Sequence, residues 1–352
     1  MASYFYGNTR LRAKLSNFLK PETLESFSNL KSIPNLIASL SKSIYKKSIE
    51  EALTFSHGIL AIYESLHIEL RSVNRNLNDY YSGKPLELIH TALIQDDLNN
   101  LKGAIRGVMH HIELNEIVES FTPLGSISKT ILTELAKSNN LDDFVSKIAT
   151  FNLEISEPLI RLYSGKIDLN SSEIELELVK WSYARINNIL KNGENKLLLR
   201  DFINVESDIV NLNILFRYVN SQIANKNFED DFAEKLIDMG NIDRDEITSL
   251  SKLDSIDQIV KSKSLKNYKY YLTKALACYN KTNRLSEFEN QMHIYQLKVL
   301  SGLPRLKPLG IGVPLGYIAL KKNEVRNLRW IAKGIKAGFS SDFIKENLVF
   351  AK

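Results

Sequence analysis

The chain has 352 residues, of which 44% are hydrophobic and 25% are charged, and its 46 basic and 41 acidic residues leave a formal net charge of +5. The charges are spread along the chain, and no basic run is interleaved with aromatic residues, which argues against a nucleic-acid partner. The single cysteine, Cys278, excludes an internal disulfide and predicts a small buried side chain in a reducing compartment.

The first residues and the most apolar segment carry no export or membrane signal. Residues 1–6 lack a basic region followed by an apolar one. Residues 309–320 contain three glycines and one proline, and they are far fewer than the roughly 20 residues that a spanning helix needs. We therefore expect a cytoplasmic protein.

Composition and periodicity predict an all-α fold. The chain has only 15 glycines and 8 prolines, and apolar residues recur at helical spacing in residues 178–190. A second stripe at steps of three and four is formed by Leu66, Leu70, Val73 and Leu77. Sustained strand-like alternation is hard to find, and the runs 303–305 and 311–313 are predicted to be loop.

One ten-residue pattern occurs three times, in residues 97–106, 208–217 and 324–333. In each copy an acid stands three positions before an Asn-Leu pair, and a base stands at the tenth position. The chain has nine Asn-Leu pairs, and only these three carry the acid. The acids and asparagines are Asp97 and Asn100, Asp208 and Asn211, and Glu324 and Asn327. The third copy departs from the others by having Glu for Asp and Lys333 for Arg.

A second marker keeps nearly the same period, with copies at residues 24–27, 141–144 and 256–259. The length of the chain also fits three units of about 115 residues better than a single core. We therefore predict three helical repeats, with boundaries at 1–115, 116–225 and 226–352.

On a helix, the acid and the asparagine are neighbours at the edge of an apolar stripe. They can hydrogen-bond a neighbouring helix or cap its end, which would orient the helices identically in three copies. Alternatively, three equivalent polar rims converge and face a partner.

The third copy, residues 321–331, closely resembles the carboxyl-terminal signature of the C subunit of V/A-type rotary ATPases, whose eukaryotic relative is the d subunit. Residues 6–13 are similar to the opening of the prokaryotic branch, and residues 310–317 resemble the approach to its last helix. The other two copies match the family's internal repeats.

The resemblance implies three helical domains around a pseudo-threefold axis that form a funnel. It also implies a rotor part without an active site, cofactor or small-molecule substrate. Such a part joins the axle, made of the D and F subunits, to the proteolipid (c/K) ring on the cytoplasmic face of the membrane. One copy serves each complex, and the isolated chain is a monomer.

Basic residues in and beside the repeat are candidates for contacting an acidic partner. They lie beside or opposite the apolar stripe, where we expect them to face solvent. These candidates are Lys102, Arg106, Arg217, Arg326 and Arg329.

Two other functions stay open. Asp96, Asp97 and Asn100 could hold Mg²⁺ and a diphosphate in an all-α enzyme resembling a terpene synthase, although no second metal cluster is visible. The chain could also be a helical-repeat scaffold of another complex. The Gly-Lys pairs at 83–84 and 165–166 lack the first glycine of a phosphate-binding loop, so no nucleotide site is expected.

Overall fold

A computed structural model describes residues 3–151, 153–165, 170–191, 194–223 and 232–351 of the chain. These residues are helical or lie in turns and contain no strand, which confirms the all-α prediction. Among them, no helix is both long enough and apolar enough to cross a membrane.

The helices follow one order three times: three short helices are followed by two long ones. Two further short helices, α7 and α18, lie after the long pairs, and two 3-10 turns span Ala233–Lys235 and Lys263–Leu265. In chain order the helices are α1 (Phe5–Leu15), α2 (Pro21–Ser28), α3 (Ile33–Leu40), α4 (Lys46–Leu53), α5 (Gly58–Tyr80), α6 (Gly83–Met109), α7 (Leu114–Ser120), α8 (Lys129–Ala136), α9 (Leu141–Thr150), α10 (Ser156–Gly165), α11 (Ser171–Ile189), α12 (Glu194–Ile223), α13 (Arg244–Leu250), α14 (Ile256–Lys261), α15 (Lys269–Thr282), α16 (Ser286–Leu306), α17 (Gly312–Ala337) and α18 (Ser341–Glu346). The repeated sets are α2 to α6, α8 to α12 and α13 to α17.

The chain divides into two compact units, one of Met1–Glu175 with Leu300–Lys352 and the other of Leu176–Val299. In the first unit, α5 packs against α4 and α17. The predicted stripe on α5 is its core face, because Leu66 and Leu70 are fully buried and Val73 and Leu77 nearly so. The three repeat boundaries predicted from the sequence stay a prediction.

The second unit has its own core, in which α12 packs against α13 to α16. The rings of Phe216 and Phe288 stack there with their centroids 4.3 Å apart. The stripe predicted in residues 178–190 is also buried at Leu178, Ile186 and Leu190.

Helix caps correct the second sequence marker. Helices α3, α9 and α14 each begin after a residue whose side chain accepts a hydrogen bond from the N–H three positions on. The capping residues are Ser32, Asn140 and Ser255. Residues 33–36 are therefore the first copy of this marker, and the assignment of residues 24–27, which lie inside α2, is wrong.

Two smaller predictions are also wrong. Residues 303–305 belong to α16, which continues through Pro304 to Leu306, and α17 begins at Gly312, so the connection is confined to residues 307–311. Cys278 is exposed, because it lies on α15 away from the buried face formed by Leu272 and Ala275.

Candidate functional site

The asparagine of each repeat holds both backbone groups of one residue far along the chain. Its side-chain oxygen accepts a hydrogen bond from that residue's N–H at 2.7–3.0 Å, and its side-chain nitrogen donates to the same residue's carbonyl at 2.8–3.1 Å. The pairs are Asn100 with Thr122, Asn211 with Ile237, and Asn327 with Val349. Each asparagine thus fixes a segment that follows its own long helix and has no regular partner for those two groups.

The acid of each repeat binds the segment that leads into the next set of helices. In every copy its carboxylate accepts a hydrogen bond from the N–H located two positions before a short helix, at 2.6–3.1 Å. The pairs are Asp97 with Ile127 before α8, Asp208 with Ile242 before α13, and Glu324 with Leu19 before α2. We call each acid, its asparagine and their backbone partners a junction.

The three junctions differ in the further hydrogen-bond donors that the acid receives. Asp97 and Asp208 each accept a second backbone N–H, from Ser126 and Asn241 respectively. Burial raises the pKa of Asp97 above its usual value, and the donors at Ser126 and Ile127 oppose that rise. Tyr268 adds its hydroxyl to Asp208.

The third junction joins the two ends of the chain. Glu324 receives the N–H of Leu19, 305 positions away, together with the hydroxyl of Tyr45 at 2.7 Å and the ammonium of Lys321 at 2.7 Å. Lys321 is only 4% exposed and lies over the rings of Phe18 and Tyr45. Burial, followed by the nearby Glu324 charge, raises the pKa of Tyr45 well above its usual value, so this hydroxyl stays a donor.

The base at the tenth position forms the same ion pair in two copies. Arg106 meets Glu175 with its Nε 2.6 Å from the carboxylate, and Arg217 meets Glu289 at 2.8 Å. The two acids lie near the amino-terminal ends of long helices, Glu175 in α11 and Glu289 in α16. These partners were not predicted from the sequence, although the similar positions of the two acids were a signal for them. The pairs account for Arg106 and Arg217 without an external partner.

The remaining basic candidates lie in different environments. Arg326 is exposed at its surface and Lys102 is partly buried, and burial lowers the pKa of both side chains below their usual values. The expectation that Arg329 faces solvent is wrong. Its guanidinium donates to the carbonyl of Phe121 at 2.7 Å and to His67 at 3.0 Å, because α17 packs across α5 at this point.

His67 lies among three charged or polar groups. Its Nε2 is 3.0 Å from the carbonyl oxygen of Phe121, an acceptor, and 3.0 Å from the guanidinium of Arg329, a donor. Its Nδ1 is 3.5 Å from the carboxylate of Glu64, which also pairs with Lys129 at 2.5 Å. The contact with His67 and the pairing with Lys129 lower the pKa of Glu64 to about 2, although burial opposes this.

The acids behind the magnesium-diphosphate alternative are engaged within the protein. Asp96 pairs with Lys322 at 2.6 Å, while Asp97 accepts three hydrogen bonds from Ser126 and Ile127. Among the described residues, no group of three or more His, Cys, Asp or Glu could hold a metal ion. The contacts of Asp96 and Asp97 are therefore structural ones within the protein.

Comparison with known proteins covers the acid and the asparagine of every junction, since residues 7–347 match the family described as the ATP synthase (C/AC39) subunit. The chain belongs to this family. It is 28% identical to the C subunit of the A-type ATP synthase of Methanosarcina acetivorans, over 99% of this chain and 93% of the relative. It is 26% identical to the protein of that name from Methanococcoides burtonii, over 99% and 94% of the two chains. The corresponding protein of Pyrococcus abyssi is 23% identical, over 97% and 89%.

Glycines let two of the acids of this C/AC39 chain approach the backbone. A Cβ atom on Gly125 would overlap the carboxylate of Asp97, and one on Gly240 would overlap that of Asp208. We expect Gly125→Ala to lower the free energy of unfolding by about 1–3 kcal/mol, because the carboxylate must leave its N–H donors. Gly103→Ala, on the long helix α6 that carries Asp97, is the control, since its nearest outside atom is 3.7 Å away, and it should be neutral or stabilising by up to about 1 kcal/mol. Equal effects of the two changes in urea denaturation would contradict this account.

The buried His67 should make the stability of the chain fall in mild acid. Burial lowers its pKa below the ordinary 6.5, so on acidification the unfolded state takes up a proton before the folded state does. The free energy of unfolding should therefore decrease as the pH drops below about 6.5. We expect His67→Gln to flatten the decline in melting temperature between about pH 7.5 and about pH 5.5. His90, whose pKa burial also lowers, leaves a residual slope in both proteins, and parallel profiles would show that His67 does not contribute.

Proposed function

We propose that this chain is a non-catalytic central-rotor subunit of a V/A-type ATPase or synthase. Family membership makes it a rotary-ATPase subunit. Within that enzyme we infer that it joins the axle, made of the D and F subunits, to the proteolipid ring, and so couples ATP chemistry elsewhere in the complex to the movement of H⁺ or Na⁺. The proposal includes a pseudo-threefold arrangement of three helical domains, one copy per complex, and a peripheral position on the cytoplasmic face.

The triplicated junction is the observation that supports this role. A part that carries torque must keep its helices from sliding, and each junction fastens a long helix to two other segments of the chain through buried hydrogen bonds. Breaking such a bond while its partner stays buried costs about 1–3 kcal/mol per group. The repeated acids and asparagines are used for this internal fastening, which suits a transmission element better than a reaction site.

The decisive experiment measures ATP hydrolysis and ion uptake separately in a reconstituted complex. Without this chain, the part containing the axle should hydrolyse ATP while vesicles with the proteolipid ring take up no ions. Adding the purified chain should restore uptake. Full uptake in its absence would overturn the proposal.

A second measurement addresses chemistry in the isolated chain. Calorimetry with ATP, and separately with Mg²⁺ and inorganic diphosphate, should give no heat of binding. Micromolar affinity for either would contradict the non-catalytic assignment and favour the enzyme alternative.

Two arginines of α17 should respond differently to charge reversal. Arg326 is exposed, so Arg326→Glu should slow association with the axle or ring by a salt-dependent factor and lower the melting temperature less than Arg329→Glu does. Arg329→Glu should lower the melting temperature first, because the new carboxylate would face the carbonyl of Phe121. Unchanged docking of Arg326→Glu, measured beside its melting curve, would remove this residue from the partner surface.

A further inference from the structure

Three large hydrophobic side chains protrude where α1 meets the connection between α16 and α17. Leu309, Phe5 and Leu306 are 77%, 73% and 72% exposed, the highest values for large hydrophobic residues in the described part of the chain. The next, Tyr270, is 62% exposed and lies in the other unit. Exposed apolar groups concentrated at one place indicate a binding surface more strongly than scattered ones.

Asn8 brings these side chains together. Its side-chain nitrogen donates to the carbonyls of Pro308 and Gly310, both at 3.0 Å, and its oxygen accepts the hydroxyl of Tyr81 at 2.7 Å. Phe5, which is exposed, lies in the helical turn before the buried Asn8, so the first turn of α1 adjoins the connection that Asn8 holds. The first turn of α1 and the connection at residues 307–311 thus form one surface.

The stretches of sequence that contain these two segments are basic and have no acidic residue. Residues 1–20 hold four bases, and residues 290–323 hold five, without a single Asp or Glu in either stretch. Two of these nine bases, Lys321 and Lys322, are paired with Glu324 and Asp96. The other seven still exceed the net charge of +5 of the whole chain, so positive charge is concentrated here. The exposed bases beside the protruding side chains are Arg10, Arg12, Arg305 and Lys307.

Neighbouring elements add little opposing charge to this surface. Tyr6 packs edge-on against Tyr80 at the end of α5, and the guanidinium of Arg10 lies over both rings at 5.8 and 5.7 Å. Asp79 precedes Tyr80 and is outnumbered by the four bases. The surface therefore combines apolar tips, aromatic rings and excess positive charge.

This combination matches the chemistry of an anionic lipid surface. Phe and Leu side chains enter the boundary between headgroups and acyl chains, while Arg and Lys attract anionic headgroups by about 1 kcal/mol each. Side chains that project singly from a convex turn fit a fluid layer, which can close around them, better than a fixed protein face, which needs matching pockets.

We propose that Phe5, Leu306 and Leu309, with Arg10, Arg12, Arg305 and Lys307, form a docking surface for an anionic bilayer. We call this set the basic apolar tip. Phe5, Leu306 and Leu309 insert into the interfacial layer, and the four bases contact phosphate groups. The inference does not depend on the rotor role, because it concerns the affinity of the chain itself for lipid.

Co-sedimentation of the full chain with vesicles tests the basic apolar tip. Vesicles of phosphatidylglycerol and phosphatidylcholine should bind the protein, and vesicles of phosphatidylcholine alone should bind it at least about tenfold more weakly. Raising the salt concentration should weaken binding to the anionic vesicles. Absence of binding to anionic vesicles at low salt would overturn the proposal.

Variants distinguish lipid binding by the basic apolar tip from non-specific adsorption of the protein. Leu306→Ser with Leu309→Ser should reduce the partition coefficient at least about tenfold, and Arg12→Gln with Arg305→Gln should reduce it by about fivefold per charge removed. The matched control is Phe55→Ser with Leu197→Ser, which removes exposed apolar side chains elsewhere and should leave partitioning unchanged. Melting curves verify that all variants are folded.

The outcomes that contradict the proposal are distinct. An equal loss in the control pair would mean non-specific adsorption. Binding that appears only when the proteolipid ring is embedded in the vesicles would assign the tip to a protein partner. Failure of the ion-uptake experiment would leave the lipid measurement unaffected.

Discussion

The Glu324→Ala variant is expected to lose about 3–5 kcal/mol of unfolding free energy, the largest effect expected of any single change. Removing the carboxylate leaves the ammonium of Lys321 buried at 4% exposure, with only Glu69 nearby at 3.8 Å. It also removes the acceptor for the hydroxyl of Tyr45 and for the N–H of Leu19. Urea denaturation followed by circular dichroism measures the loss.

Two controls define that result. The double change Glu324→Leu with Lys321→Met should recover part of the stability, because no unpaired charge is then left in the interior. Glu50→Ala breaks an exposed pair with Lys46 whose charged atoms are 4.0 Å apart, and it should change the free energy of unfolding by less than about 0.5 kcal/mol. A Glu324→Ala variant as stable as the parent would mean that the third junction does not contribute to the free energy of unfolding.

The Asn100→Ala variant should lose about 2–4 kcal/mol, because the N–H and the carbonyl of Thr122 both lose their partner. Asn211→Ala and Asn327→Ala should behave alike, since each asparagine makes the same two hydrogen bonds. In the third copy Asn323 also donates to the carbonyl of Val349, so the loss there should be the smallest of the three.

Asn99 provides an adjacent control for this series. It is exposed one position before Asn100 on the same helix, so Asn99→Ala should be neutral or slightly stabilising. Hydrogen exchange at the amide of Thr122 gives a local readout that should accelerate only in the Asn100 variant. Equal effects of Asn99→Ala and Asn100→Ala would show that the repeated spacing of acid and asparagine within the chain has no structural cause.

The sequence predicted the helices well because their signal is local. The stripe containing Leu66 and Leu70 is the buried face of α5. The acid and the asparagine of each repeat form hydrogen bonds to the backbone of connecting segments, whereas a neighbouring helix or a helix end was expected from the sequence. The identity of those partners was out of reach. Backbone groups such as those of Thr122 and Ile127 are present in every residue, so no side-chain pattern marks them.

The errors arose where distant parts of the chain decide the environment. Arg329 was expected at the surface because helical position alone places it beside the apolar stripe. Its neighbours, His67 and the carbonyl of Phe121, come from segments more than 200 residues away in sequence. The marker at residues 24–27 is wrong for a different reason. Residues 141–144 and 256–259 begin the second short helix of their sets, whereas residues 24–27 lie inside the first short helix of theirs.

The hydrogen bond between Glu324 and Leu19 affects the local unfolding of the amino-terminal and carboxyl-terminal segments. Terminal helices usually fray independently because nothing follows them to hold them in place. Here the N–H that precedes α2 and the carboxylate of α17 satisfy each other, so detachment of either end exposes a buried group on the other. The amino-terminal and carboxyl-terminal segments of the first unit should therefore open as one cooperative event, with similar protection of their amides and a common susceptibility to protease.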